Sequence, residues 1–119
     1  MADITQLRRG STSLLILSIL QEKPLHGYAI MRELERRSDG FFKISAPLLY
    51  PTLHQMEQDG LIRGKWEDSE TERRRKVYKI TEKGIKKISK DKADWGEFVT
   101  HLFKIIADDS SKLGEIDEI

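Results

Sequence analysis

The segment from Thr81 to Asp108 sets the hardest limit on the fold. Its apolar residues fall at Ile85, Ile88, Trp95, Val99, Leu102 and Ile106. With Lys92 counted, the steps alternate between three and four, which is a heptad seam. A helix that starts after Thr81 and runs to Asp108 has 27 residues and is roughly 40 Å long at about 1.5 Å per residue. The whole chain has 119 residues, enough for one modest domain with an appended helix. A domain of that size does not cover such a helix. The spacing therefore predicts that Ile88, Trp95, Val99, Leu102 and Ile106 form a dimerisation face that pairs with a second copy of the chain, and that Lys92 marks a wet stretch of that interface.

Composition removes several classes of protein. There is no cysteine, which excludes disulfides, thiolate catalysis and cysteine-based zinc sites and suits a reducing, cytoplasmic setting. The apolar run Leu14-Leu15-Ile16-Leu17, continued by Ile19-Leu20, is too short to span a bilayer. Arg8-Arg9 stands before it as in a signal peptide, but Gln21-Glu22-Lys23 follows with no small-residue cleavage site, so the run is read as a buried helix. The net charge is only +1, yet residues 1–80 carry +3 and residues 81–119 carry −2. Much of the basic excess lies in Arg73-Arg74-Arg75-Lys76.

Punctuation divides the rest. A first helix is expected from about Ser11 to Glu22, stopped by Pro24. A second runs from Gly27 to Arg37, with Tyr28, Ile30, Met31 and Leu34 as its apolar stripe and Gly40 as a left-handed stop. A third starts after Ser45 as N-cap, carries Pro47 in its first turn and Leu49, Leu53 and Met56 on one face, and stops at Asp59-Gly60. Residues 61–66 and 76–80 alternate as half-buried strands, and the polar stretch 67–75 is an exposed hairpin loop. The fourth helix follows Thr81. The fold class is therefore mainly α with a small β-hairpin: a winged helix-turn-helix over residues 1–80, a dimerisation helix over 81–108 and a polar tail over 109–119.

Several pieces, in this order and spacing, resemble the PadR family of bacterial transcriptional regulators: Leu14-Leu15-Ile16-Leu17, His26-Gly27-Tyr28, Leu49-Tyr50-Pro51-Thr52-Leu53, Gly60-Leu61-Ile62, Arg73-Arg74-Arg75-Lys76-Val77-Tyr78 and Thr81-Glu82-Lys83-Gly84. The resemblance implies a homodimeric, sequence-specific DNA-binding repressor. Its third helix would enter the major groove, its basic hairpin would touch phosphates and its last helix would make the dimer. One departure is visible. Family members often have a glycine and a small hydroxyl residue before Leu-Tyr-Pro, where this chain has Pro47 and Leu48.

The candidate DNA contacts follow from residue chemistry and the resemblance together. Tyr50 either reaches a phosphate or base edge through its hydroxyl or packs against the second helix. Lys43, Ser45, Thr52 and Gln55 lie in or before the third helix. Glutamine pairs with adenine in the major groove, whereas serine and threonine more often touch phosphate. Arg73, Arg74, Arg75 and Lys76 place positive charge on the hairpin, where neutralised phosphates release counterions. Glu67, Asp68, Glu70 and Glu72 are placed to fold back onto those arginines. Gly27 and Tyr28 open the second helix, whose free N–H groups suit phosphate, or they serve only the turn and the packing. Trp95 either packs the dimer seam or lines a cavity for a small flat aromatic effector.

An enzyme is not expected. His26, His54 and His101 share no metal-ligand spacing, no Gly-rich phosphate loop follows a strand, and no serine sits in a nucleophile elbow. His26 is read as a turn residue. No cofactor, metal or membrane partner is implied. The competing reading is a winged-helix protein-interaction module without specific DNA binding, which the low net charge and acidic wing residues permit.

Overall fold

The computed structural model describes residues 2–68 and 74–107, with the backbone alone for residues 2–10. Helix α1 (Ala2–Leu20) begins well before Ser11. Alanine, leucine, glutamine and arginine favour helix in this stretch, and Gly10 costs only about 1 kcal/mol inside one. Ile16, Leu17, Ile19 and Leu20 are buried, and the helix unwinds ahead of Pro24, two residues before Glu22.

A strand that the sequence does not announce follows, β1 (Leu25–His26). Two residues carry no periodicity, and the strand exists only through its pairing with β3. Helix α2 (Gly27–Arg37) is capped by His26, whose Nδ1 accepts the Ala29 N–H at 3.3 Å. His26 is therefore a strand residue and helix cap, not a turn residue. Ile30 and Leu34 face the core. The helix closes through Asp39 and Gly40, with φ of 52° and 85°, and the Gly40 N–H donates to the Glu35 carbonyl at 2.7 Å.

Helix α3 (Ala46–Gln58) buries Leu49, Leu53 and Met56. Ser45 holds the N-cap position but makes no side-chain cap bond. Pro51 sits inside this helix and leaves the Pro47 carbonyl without its usual donor. Gly60, at φ 78°, turns the chain into β2 (Ile62–Glu67), which pairs antiparallel with β3 (Arg75–Ile80), from Ile62 opposite Ile80 to Glu67 opposite Arg75. The sheet order is β1-β3-β2. Tyr78 is the buried residue of β3 and Ile80 packs beside it. Both strands reach one residue further toward the loop than expected, so Glu67 and Arg75 belong to the strands and not to the hairpin loop.

Helix α4 (Glu82–Ile106) starts at Thr81, which caps it by accepting the Gly84 N–H on Oγ1 at 3.1 Å. The same hydroxyl donates to the Gly60 carbonyl at 2.6 Å, and Lys83 Nζ donates to the Asp59 carbonyl at 2.7 Å, closing the end of α3. Gly84 permits this approach. A Cβ there would lie 2.2 Å from the Leu61 carbonyl oxygen.

The chain falls into two compact units that part between Ile88 and Ser89. The core of the first joins Ile16, Leu17, Leu20, Ile30, Leu49, Leu53, Met56, Tyr78 and Ile88. Ile88, expected on the dimer seam, is 0% exposed within its own chain and so offers no surface to a partner. In the second unit α4 continues from Ser89 to Ile106, with Phe98, Val99, Phe103, Ile105 and Ile106 exposed and Trp95 edge-on to Phe98 at 5.8 Å between ring centroids. The apolar stripe is wider than an alternating seam, because Phe98 and Ile105 run alongside Trp95 and Leu102. The tail beyond Ala107 lies outside the described residues.

Candidate nucleic-acid interface

One groove of the first unit brings together two of the basic candidates, Lys43 and Arg75. The groove beside α2 is lined by Tyr28 and Arg32 of that helix, Lys43 and Ser45 of the α2–α3 loop, and His26 and Arg75 of the sheet. Tyr28 is 56% exposed and carries the Arg32 guanidinium over its ring, 5.8 Å from the centroid. That is the reach of an (i, i+4) pair on a helix.

Tyr50 on α3 lies against Gly27. A Cβ at Gly27 would meet the Tyr50 ring and hydroxyl at 2.7 Å. The missing side chain thus makes the seat on which the phenol rests, while 44% of the residue stays exposed. Both readings of Tyr50 share this geometry: the ring packs on α2 and the residue keeps an open surface. The Thr52 hydroxyl donates to the Leu48 carbonyl at 2.8 Å, and Gln55 donates to Asp59 at 3.1 Å. Each has a partner in its own helix, and Gln55 remains exposed.

The wing is organised by pairing. Lys76 donates to Glu57 of α3 at 2.8 Å, and the other Glu57 oxygen accepts the Gly64 N–H at 3.1 Å. A Cβ at Gly64 would fall 2.3 Å from the Lys76 chain, so glycine opens the space for this tie between recognition helix and sheet. The Glu57 bond holds the Lys76 ammonium above its ordinary value, and burial pushes the Tyr78 phenol up beside it. Arg74 ion-pairs with Asp68 at 3.4 Å, which is the folding back of an acidic wing residue. It also stacks over the exposed Trp66, 5.7 Å from the ring centroid. Arg73, Glu70 and Glu72 lie outside the described residues.

Sequence reasoning left out four residues of this face. Arg32 was legible as the (i, i+4) neighbour of Tyr28. His26, Glu57 and Trp66 were not, because their partners Arg75, Lys76 and Arg74 arrive through the sheet register. Glu22, Arg37, Glu33 and Arg36 form a chain of ion pairs that ties the end of α1 to α2, reaches the groove through Glu33 and Arg36 and holds the Glu33 carboxyl at about 2. Among the described residues no three side chains could hold a metal ion, and no helix is long and apolar enough to cross a membrane.

Three helices, a paired wing and a groove beside the second helix define a winged-helix domain of the kind used by transcriptional regulators. The chain belongs to the transcriptional regulator PadR-like family, whose model matches residues 16–90. A transcriptional regulator of Mycobacterium tuberculosis is 31% identical over 87 residues, covering 73% of this chain and 78% of that protein. The structure of a transcriptional regulator from Clostridium thermocellum is 27% identical with a TM-score of 0.79, covering 85% of this chain and 98% of that one. The fold also matches Bacillus subtilis PadR, solved in complex with operator DNA, with a TM-score of 0.61 at 24% identity over 71% of this chain and 44% of that one.

Proposed function

We propose that this regulator binds operator DNA sequence-specifically as a cytoplasmic homodimer and represses transcription, with α3 in the major groove and the wing on the phosphate backbone. The observation that carries the reading is the gathering of Tyr28, Lys43, Ser45 and Arg75 in one groove, with Tyr50 of α3 held against α2 by Gly27. Cations in such a groove suit a phosphate row, and an exposed tyrosine on a recognition helix suits the groove edge. Lys76, engaged by Glu57, acts in this reading through the position of the wing.

The broad apolar stripe of α4 beyond Ser89 supports the dimer, since contiguous exposed apolar surface marks an interaction site. Two-fold symmetry then sets half-sites about one helical turn apart, roughly 34–36 Å, on an inverted repeat. The half-buried Trp95, edge-on to Phe98, suits a flat aromatic effector that favours one arrangement of the dimer.

The test is anisotropy of a labelled duplex from the upstream region of the chain's own gene, against a scrambled duplex at two salt concentrations. The native duplex is expected to bind more tightly at the higher salt. Replacing Arg74 and Arg75 with alanine is expected to lower the salt slope by about two, near 0.9 per phosphate lost. Equal, salt-insensitive behaviour of both duplexes would instead support a protein-interaction module.

A further inference from the structure

The two nitrogens of His26 face two groups that can only donate. The Ala29 N–H points at Nδ1 over 3.3 Å, and Arg75 Nη1 lies 3.2 Å from Nε2. A neutral imidazole has one acceptor nitrogen and one N–H, and a guanidinium has no acceptor at all. In either tautomer one of these contacts sets a donor against a donor. With Nδ1 committed to the cap, Nε2 carries the proton and opposes Arg75. The pair lacks one acceptor, and it lines the groove into which Lys43 and Arg32 also turn.

We infer that His26 Nε2 and the Arg75 guanidinium together seat one phosphodiester oxygen of the DNA backbone, with an anion completing what the protein leaves unmatched. The inference rests on the proposed DNA-binding function and names its atoms. The oxygen would accept from both donors, and its negative charge favours the imidazole that would otherwise suffer from Arg75. The neutral imidazole makes both bonds, with Nε2–H donating to the oxygen while Nδ1 keeps the Ala29 N–H.

In the free protein, burial and then the Arg75 charge hold the His26 imidazole below its ordinary value. The charged groups lining the groove around it are Lys23 ahead of β1, Arg32, Glu33, Glu35 and Arg36 of α2, Asp39 and Lys43 between α2 and α3, and Arg75 of β3. A second proton could enter only at Nδ1, where it would displace the Ala29 N–H. The neutral imidazole is therefore the form that binds, with Nε2–H on the phosphate oxygen and Nδ1 on the helix.

His26→Asn is the sharpest variant. The asparagine Oδ1 occupies the place of Nδ1 and asparagine is a favoured N-cap, so the cap is kept while the Nε2 position is deleted. Affinity for a mixed-sequence duplex would be measured against salt, because a backbone contact is independent of sequence. The variant is expected to melt like the wild type and to bind roughly tenfold more weakly, because one hydrogen bond to a charged group is lost. Arg75→Gln is expected to weaken binding as well and to lose about one from the salt slope. The double variant should then lose less than the sum of the two in log affinity, because the pair shares one phosphate.

A His26→Asn protein with the wild-type affinity would reduce His26 to a cap and overturn the inference while the DNA-binding reading stands. A wild-type protein with no salt-dependent binding to any duplex would overturn both.

Discussion

The two glycines of α4, Gly84 and Gly96, occupy the same helix and answer to different neighbours. At Gly84 the Leu61 carbonyl and the Ile80 side chain crowd the missing Cβ, whereas at Gly96 nothing lies within 4 Å. The contrast extends to the apolar residues around them. Ile88 is fully buried among side chains of its own chain, while Phe98 and Phe103 are about half exposed. Up to Ile88 the helix is part of a finished core. From Ser89 onward it carries apolar surface that the described residues do not cover. The same residue types therefore complete a core in one region and stay on the surface in the other.

The core side of this comparison is the easiest to break. Leu53→Ala is expected to cost about 2–5 kcal/mol in urea unfolding, since Leu53 is completely buried. Phe103→Ala should change unfolding at low chain concentration by less than about 0.5 kcal/mol and should instead weaken self-association in sedimentation. Equal losses from the two variants would erase the distinction between the regions.

The glycines sharpen it. Gly84→Ala is expected to destabilise by about 1–3 kcal/mol, because its Cβ meets backbone that has to move. Gly96→Ala should stabilise by up to about 1 kcal/mol through helix propensity alone. Thermal melts of the two variants, shifted in opposite directions, are the check.

The smallest expected effect lies in the wing. Lys76 and Tyr78 both have folded-state pKa values raised above their ordinary 10.5 and 10.0. Each therefore binds its proton more tightly in the folded protein. The stability they contribute is complete below pH 10 and falls as pH rises through their folded values. Glu57→Gln, which removes the bond responsible for most of the Lys76 shift, should shrink the alkaline loss. An unchanged alkaline profile would show that the Glu57–Lys76 tie adds nothing to the fold.

Much of this protein was legible in its residues. The three helix cores, Gly60 as a stop and the capping Thr81 follow from periodicity and turn chemistry, which act over a few neighbouring residues. Of the eleven candidate DNA contacts read from the sequence, the fold brings Tyr28, Lys43, Ser45 and Arg75 into one groove.

The N-terminal extension of α1 was missed because Gly10 resembles a break but costs a helix little. Strand β1 has only the pairing of Leu25 with Tyr78 and His26 with Val77 to define it. Tertiary structure alone decided that Ile88 belongs to the core and not to a seam, that Lys76 turns to Glu57, and that His26 meets Arg75. Helical and turn preferences are written locally, in propensities and spacings. Which side chains meet across 19 or 49 residues of chain is fixed by strand register and close backbone approach, and these arise only when the whole domain packs.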